Sequence, residues 1–96
     1  MKLVWTKLAQ ADRKAIRDFI AQDSPKAALS IDRLLSEQAK LIVQHPEIAR
    51  LGRVPNTREL VAHKNHILIY DIHADVIRVL RILHATQYWP PKPSTL

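Results

Sequence analysis

The chain has no cysteine and only one glycine among its 96 residues, and each scarcity removes a class of chemistry. Without a thiol there is no disulfide framework, no cysteine nucleophile and no thiolate metal site, so the fold must rest on packing, as in reducing compartments. A single glycine, Gly52, cannot furnish a Walker loop, a Gly-rich dinucleotide turn or a Gly-x-Ser-x-Gly elbow, and nucleotide hydrolysis falls away with them. No apolar run approaches the roughly 18 residues that cross a bilayer. The opening MKLVWTKLAQADRK has no long apolar stretch before its polar helical pattern. The expectation is a soluble, cytoplasmic protein.

Acidic residues are the scarcer charge: 9 against 15 lysines and arginines, a formal charge of +6. At this length such an excess spreads a positive field over much of the surface and favours an anionic partner, whether nucleic acid, an acidic protein segment or an anionic membrane. The plainer alternative is a generally basic soluble protein. With 47% apolar and 25% charged residues the composition is globular. The length suits one domain over residues 1–96, with one core and a shallow surface site rather than a deep enclosed one.

Lys2–Thr6 alternates Leu3 and Trp5 with Val4, a strand signal. Thr6 can then cap a helix from Lys7, whose apolar positions Leu8, Ala11, Ala15 and Phe19, widened by Ile16 and Ile20, fall at helical spacing while Asp12, Arg13, Arg17 and Asp18 fill the rest. Ser24-Pro25 restarts a second helix with the stripe Ala28, Ile31, Leu35, Ala39 and Ile42, which ends at His45-Pro46. A short connection around Asp23 makes the two an antiparallel hairpin. Strands follow at Arg58–His63, His66–His73 and Val76–His84. The second and third are nearly continuous apolar runs, as for inner strands covered on both faces. Period two would put Arg81 beside Ile77, Val79 and Leu83, and Arg78 with Val76, Leu80 and Ile82. The end, Tyr88 onward, has three prolines, so residues 90–96 read as an extended proline-rich tail. The whole predicts an α+β fold, β-α-α-β-β-β, with both helices on one face of the sheet.

Candidate functional residues gather in the strand half. His63, Lys64 and His66 flank a hairpin turn and His84 ends the next strand, a placement that can assemble a proton-transfer group. The duller reading is solvent-facing strand-end histidines. A metal site would need long-range convergence of histidines, because no His-Glu-x-x-His spacing occurs. Arg50, Arg53, Arg58, Lys64, Arg78 and Arg81 offer forks for phosphate or carboxylate, although an arginine on a core rim can equally serve through its aliphatic stem. Tyr88 and Trp89 can stack on bases or anchor a protein, or else pack the tail against the sheet.

In order, GRVPNTREL, HILIYDI and IRVLRILHATQYWP resemble the RelE/ParE superfamily of toxins from bacterial type II toxin–antitoxin modules, over Lys2 to Pro90. The resemblance implies a growth-inhibiting toxin neutralised by a cognate antitoxin through an acidic, partly disordered segment. It implies no metal or organic cofactor, no small-molecule substrate and no membrane partner. RelE-like members cleave messenger RNA on the ribosome, and ParE-like members are reported to inhibit DNA gyrase. Ile67 stands where ribonuclease members carry a basic residue before Leu68-Ile69-Tyr70, and Arg81-Ile82-Leu83-His84 looks closer to the ParE-like ending. On the ParE-like reading the target-facing residues are Arg58, Lys64, Arg81, His84, Tyr88 and Trp89. On the ribonuclease reading Arg58, His66, His84 and Tyr88 would carry the chemistry. A small basic nucleic-acid-binding module is the alternative from outside the family.

Overall fold

The computed structural model describes residues 1–87 and 89–90. Strand β1 (Lys2–Trp5) leads into α1 (Lys7–Ala21) and α2 (Pro25–Gln44), then β2 (Arg50–Leu51), β3 (Thr57–His63), β4 (His66–His73) and β5 (Val76–His84). Both helix starts are set by the hydroxyls expected from the sequence: Thr6 Oγ1 accepts from the Ala9 N–H and Ser24 Oγ from the Ala27 N–H, with Pro25 in the first helical turn. α2 ends at His45, ahead of Pro46, as the restriction on a residue preceding proline requires.

The sheet order is β1-β5-β4-β3-β2 with both helices on one face. β3, β4 and β5 form the expected antiparallel meander. Two features go beyond what the sequence predicts. β1 runs parallel to β5, from Lys2 opposite Val76 to Trp5 opposite Val79, and the two-residue β2 pairs antiparallel with β3. Gly52 makes that second pairing possible: its N–H donates to the Thr57 carbonyl at 2.7 Å, and a Cβ there would lie 2.2 Å from Thr57 Oγ1.

The apolar run of β4 serves two layers at once. Leu68 and Tyr70 join Ala9, Leu35, Ala39, Ile42, Ile77, Val79 and Ile82 beneath the helices, whereas Ile67 and Ile69 pack with Leu83, Leu80 and Trp89 in a second cluster. Successive strand residues point to opposite faces, so both faces of β4 are covered, and the run is apolar for that reason. The Tyr70 hydroxyl donates to the Pro46 carbonyl at 2.7 Å, which satisfies the one polar atom of that buried ring.

Strict alternation fails along β5. The β4–β5 register shifts between Ile69 and Tyr70, which face Arg81 and Val79, so Leu80 is the extra residue of a bulge. Beyond it the parity reverses, and Ile82 rather than Leu83 enters the helix-side core. α1 departs from the sequence expectation as well. Leu8 and Phe19 of the expected inner stripe are 62% and 73% exposed, and Ala11 and Ala15 are exposed with them. The packed side is instead Ala9, Asp12, Arg13 and Ile16, displaced by one residue, or about 100° around the helix.

The charged residues on that side have partners, and this is why they face in. Arg13 makes a two-pronged bond to Asp32 of α2, both contacts at 3.0 Å, and its guanidinium lies 4.5 Å over the Trp5 ring. Asp12 meets the edge of β5 that β1 leaves uncovered beyond Val79. Its carboxylate accepts from the Ile82 N–H at 2.9 Å and from the Arg81 guanidinium at 2.8 and 3.1 Å. Thr6 extends the same cover, its N–H donating to the Val79 carbonyl and its hydroxyl to that of Leu80.

Removing the Asp12 carboxylate strands a mostly buried guanidinium and an edge N–H together. Asp12→Ala is expected to lower the folding free energy by about 2 kcal/mol. Asp12→Asn, which still accepts one bond, should lose less, as read from denaturant midpoints.

Candidate functional site

The expected cationic residues separate into two groups at opposite ends of β3. At its start, Arg58 donates to the Ala49 carbonyl at 2.8 Å. Arg50 and Arg53 fold over Glu59, whose buried carboxylate also accepts from the Arg53 N–H at 2.9 Å. At its finish lie His63, Lys64 and, across the strands, His66 and His84. Five residues of extended chain put the two ends about 17 Å apart. Arg58 therefore does not join the histidines, which corrects the expectation of one continuous target-facing edge.

Two other residues expected at the target-facing end have partners within the chain. Arg81 is held in its pair with Asp12, and the hydrogen bonds it donates to that carboxylate, with the carboxylate's charge, raise the guanidinium pKa further above its already high value. Trp89 is half-buried and packs on the face away from the helices, against Ile67, Ile69 and Leu83, the plainer of the two roles read for it. Arg78 is paired with Asp71 on an exposed strand surface. Tyr88 and residues 91–96, including most of the proline-rich tail, lie outside the described residues.

What the structure does bring together is the histidines. His66 opens β4 directly opposite His63 of β3 and His84 of β5, so three imidazoles line up across three adjacent strands. The ring centroids are 5.9 Å apart for His63 and His66 and 5.8 Å for His66 and His84, the latter edge to face. Main-chain bonds lock the two strand ends together, with the Ala85 N–H donating to the Asn65 carbonyl at 2.9 Å. Thr86 holds the His84 ring in place, its Oγ1 2.8 Å and its backbone nitrogen 3.2 Å from Nδ1. The Nδ1 atoms of His63 and His66 are buried without a hydrogen-bond partner among the described residues. Burial, and then the neighbouring His63 and His84 rings, hold the His66 pKa below the ordinary imidazole value.

These rings form one wall of an open groove of about 440 Å³ between the sheet and α1. Ala15, Ile16, Phe19 and Ile20 form the opposite wall, Ile82 lies between, and Asp12 closes one side. The sequence did not mark Phe19 or Asp12 as site residues. The available signal was the strongly apolar α1 stripe itself, which reads as core because its direction depends on where Asp12 finds a partner. Among the described residues no cluster of three His, Asp or Glu side chains has a metal-binding arrangement, and no helix is long and apolar enough to cross a membrane. The arrangement can move protons and seat an apolar ligand. A guanidinium to neutralise a phosphate beside the imidazoles is not in place, because Arg81 is paired and Arg58 is remote.

Residues 3–89 match the model of a family described as ParE toxin of type II toxin-antitoxin system, parDE. A Caulobacter vibrioides protein named Toxin RelE2 is 36% identical over 86 residues, which span 90% of this chain and 97% of that protein. A solved chain from the chromosomal ParDE TA system of P. aeruginosa superposes with a TM-score of 0.78 at 30% identity, covering 88% of this chain and 95% of that one.

The depressed His66 pKa fixes the sign of one pH effect. Below the ordinary imidazole value of 6.5 the unfolded chain binds the proton that folded His66 resists. The His66 contribution to stability is thus complete above that pH and is lost as pH falls through the folded value. Urea midpoints should drop between pH 7.5 and 5.5, and His66→Gln should flatten that drop.

Proposed function

This chain belongs to the ParE toxin family of type II toxin–antitoxin systems, and we propose that it halts growth by ParE-like inhibition of DNA gyrase. It is a toxin with a cognate antitoxin as its partner. The reading favours a protein-binding inhibitor over a ribonuclease, acting in the cytoplasm where gyrase works.

One observation carries it: among the described residues, the groups that RNA cleavage would need are not assembled in one place. Cleavage through the ribose 2′-hydroxyl needs a base, an acid and a cation at the phosphate within hydrogen-bond reach of one another. His66 and His84 adjoin, but Arg58 is fastened to the Ala49 carbonyl at the far end of β3. Ile67, at the position where ribonuclease members of the superfamily carry a basic residue, is buried in the second apolar cluster. Lys64, exposed in the β3–β4 turn, and His84 beside it are the residues this reading places at the target-facing end.

Purified toxin mixed with gyrase and relaxed plasmid should block supercoiling or accumulate cleaved DNA, and ribosomes translating a message should yield no cuts within codons. The opposite pair of results, codon cuts that disappear in His84→Ala or Tyr88→Ala together with unaffected gyrase, would replace this reading with the ribonuclease one.

A further inference from the structure

The face of the sheet away from the helices is divided between two kinds of surface. Towards the histidine end it is apolar, where Ile67, Ile69 and Leu83 pack with Trp89. Towards the other end it is cationic. Glu59 lies directly opposite Ile69, and Asp71 follows two residues further along β4, so both carboxylates project from this face. Glu59 takes Arg50 of β2 and Arg53 of the β2–β3 loop, and Asp71 takes Arg78 of β5 through both of its oxygens. Leu3 and Trp5 pack beneath the helices, which turns Val4, opposite Arg78, and Lys2 to the same side as these arginines. Arg50, Arg53, Arg78 and Lys2 thus form a track across the sheet from β2 to β1, four strand spacings or about 19 Å.

The arginines of the track are held in place and still reach solvent. Arg50 and Arg53 converge on the same oxygen of Glu59, at 3.2 and 3.3 Å, and their side chains remain 58% and 46% exposed over the buried carboxylate. Arg53 is fixed a second time, because its N–H donates to the other Glu59 oxygen at 2.9 Å. The loop that carries it is closed by the Gly52 N–H on the Thr57 carbonyl and the Thr57 hydroxyl on the Val54 carbonyl, both at 2.7 Å. Arg78, 47% exposed, is oriented by its two bonds to Asp71. A guanidinium carries five N–H donors, so each arginine keeps donors beyond those spent on its carboxylate. Groups fixed before a ligand arrives have less rotamer freedom to lose on binding it.

We propose that this track binds the phosphate backbone of duplex DNA, Arg50 and Arg53 on one phosphate, Arg78 on its neighbour and Lys2 beyond. Glu59 and Asp71 are diagonal neighbours across β3 and β4, about 7–8 Å apart, which is close to the spacing of successive phosphates along one strand. Planar guanidinium forks match phosphate oxygens, and a row of cations at near-regular intervals suits a polymer whose charges repeat. Contacts of this kind position a protein on the duplex without reading its sequence. The choice of duplex DNA over RNA rests on the gyrase reading: DNA is what gyrase holds, so an inhibitor seated on the enzyme gains a second contact through this face.

The test is fluorescence anisotropy of the full-length toxin with a short labelled duplex of arbitrary sequence, without gyrase, between about 50 and 200 mM salt. The expected result is a Kd of roughly micromolar order, with log affinity falling against log salt at a slope of about −3. Arg78→Gln with Lys2→Gln leaves Glu59 and its arginines intact and removes only an exposed pair, so the variant folds. It should flatten the slope by about 1 for each lost contact and weaken binding by roughly eightfold per contact at 0.1 M salt. Arg50→Gln with Arg53→Gln and Glu59→Gln, which removes the buried charge together with its partners, should act in the same direction. Lys40→Gln, an equal loss of charge on exposed α2 surface, should change affinity less than about twofold. Undetectable binding at the lowest salt, a salt-independent Kd, an equal loss in Lys40→Gln, or tighter binding to single-stranded RNA of the same length would each overturn the proposal. Toxin that blocks supercoiling without binding the duplex sinks the proposal and leaves gyrase as the target. Arginine-dependent duplex binding by a toxin that spares gyrase keeps the DNA site and removes the gyrase reading.

Discussion

The contact between Asp12 and the open edge of β5 organises the rest of the molecule. β1 covers β5 only as far as Val79, and the backbone groups beyond would otherwise be an unpaired edge facing a helix. Thr6 and Asp12 take them up. Because the Asp12 carboxylate must reach Ile82 N–H and Arg81 together, the rotation of α1 about its own axis follows. The rotation turns Ala9 and Ile16 inward and leaves Leu8, Ala15 and Phe19 outside. One charge-assisted contact therefore determines both how the helix packs and what surface it presents. An apolar stripe at ideal helical spacing ends up as exposed surface instead of core.

That outcome marks where the sequence could be read and where it could not. Helix starts at Thr6 and Ser24, the stop at Pro46 and the three strands of the meander were legible because each depends on groups within a few residues of one another. The two-sided burial of β4 was legible because a continuous apolar run of strand length needs cover on both faces. The facing of α1 was not, since a helix with two candidate sides is resolved by a partner 70 residues away, as between Asp12 and Ile82. Parity along β5 was missed for a related reason. The bulge at Leu80 inserts one residue into the count, and no glycine or proline there announces it. The parallel addition of β1 likewise depends on two strands at opposite ends of the chain.

Charge was legible in total and not in distribution. Asp12, Asp32, Glu59 and Asp71 each hold at least one arginine, so the scarce acids are used where guanidinium groups would otherwise crowd. Where such a pair is exposed, as between Arg78 and Asp71, it adds little stability. The larger effect of these pairs is to place the residual positive charge, which settles on unpaired groups such as Lys64 at the histidine end. The grouping of His63, His66 and His84 followed from sequence once the register was known, because all three sit at strand ends next to a two-residue turn. The arginines did not follow, because nothing local indicates which carboxylate claims which guanidinium.

The same packing bears on whether this fold could also carry ribonuclease chemistry. A cation at position 67 would sit in register with Val61 and Leu83 on the strand that begins with His66, within a residue of the imidazoles along the chain. The pleat of the sheet turns that position away from them. Ile67 is buried with Ile69, Leu83 and Trp89 on the side remote from the helices. A lysine or arginine there would have to leave that cluster or lose its hydration without a partner, a cost of several kcal/mol before any catalytic gain. Trp89, packed on the cluster, closes that face further. The second apolar layer that stabilises β4 is thus also what keeps a phosphate-binding charge away from the histidine row.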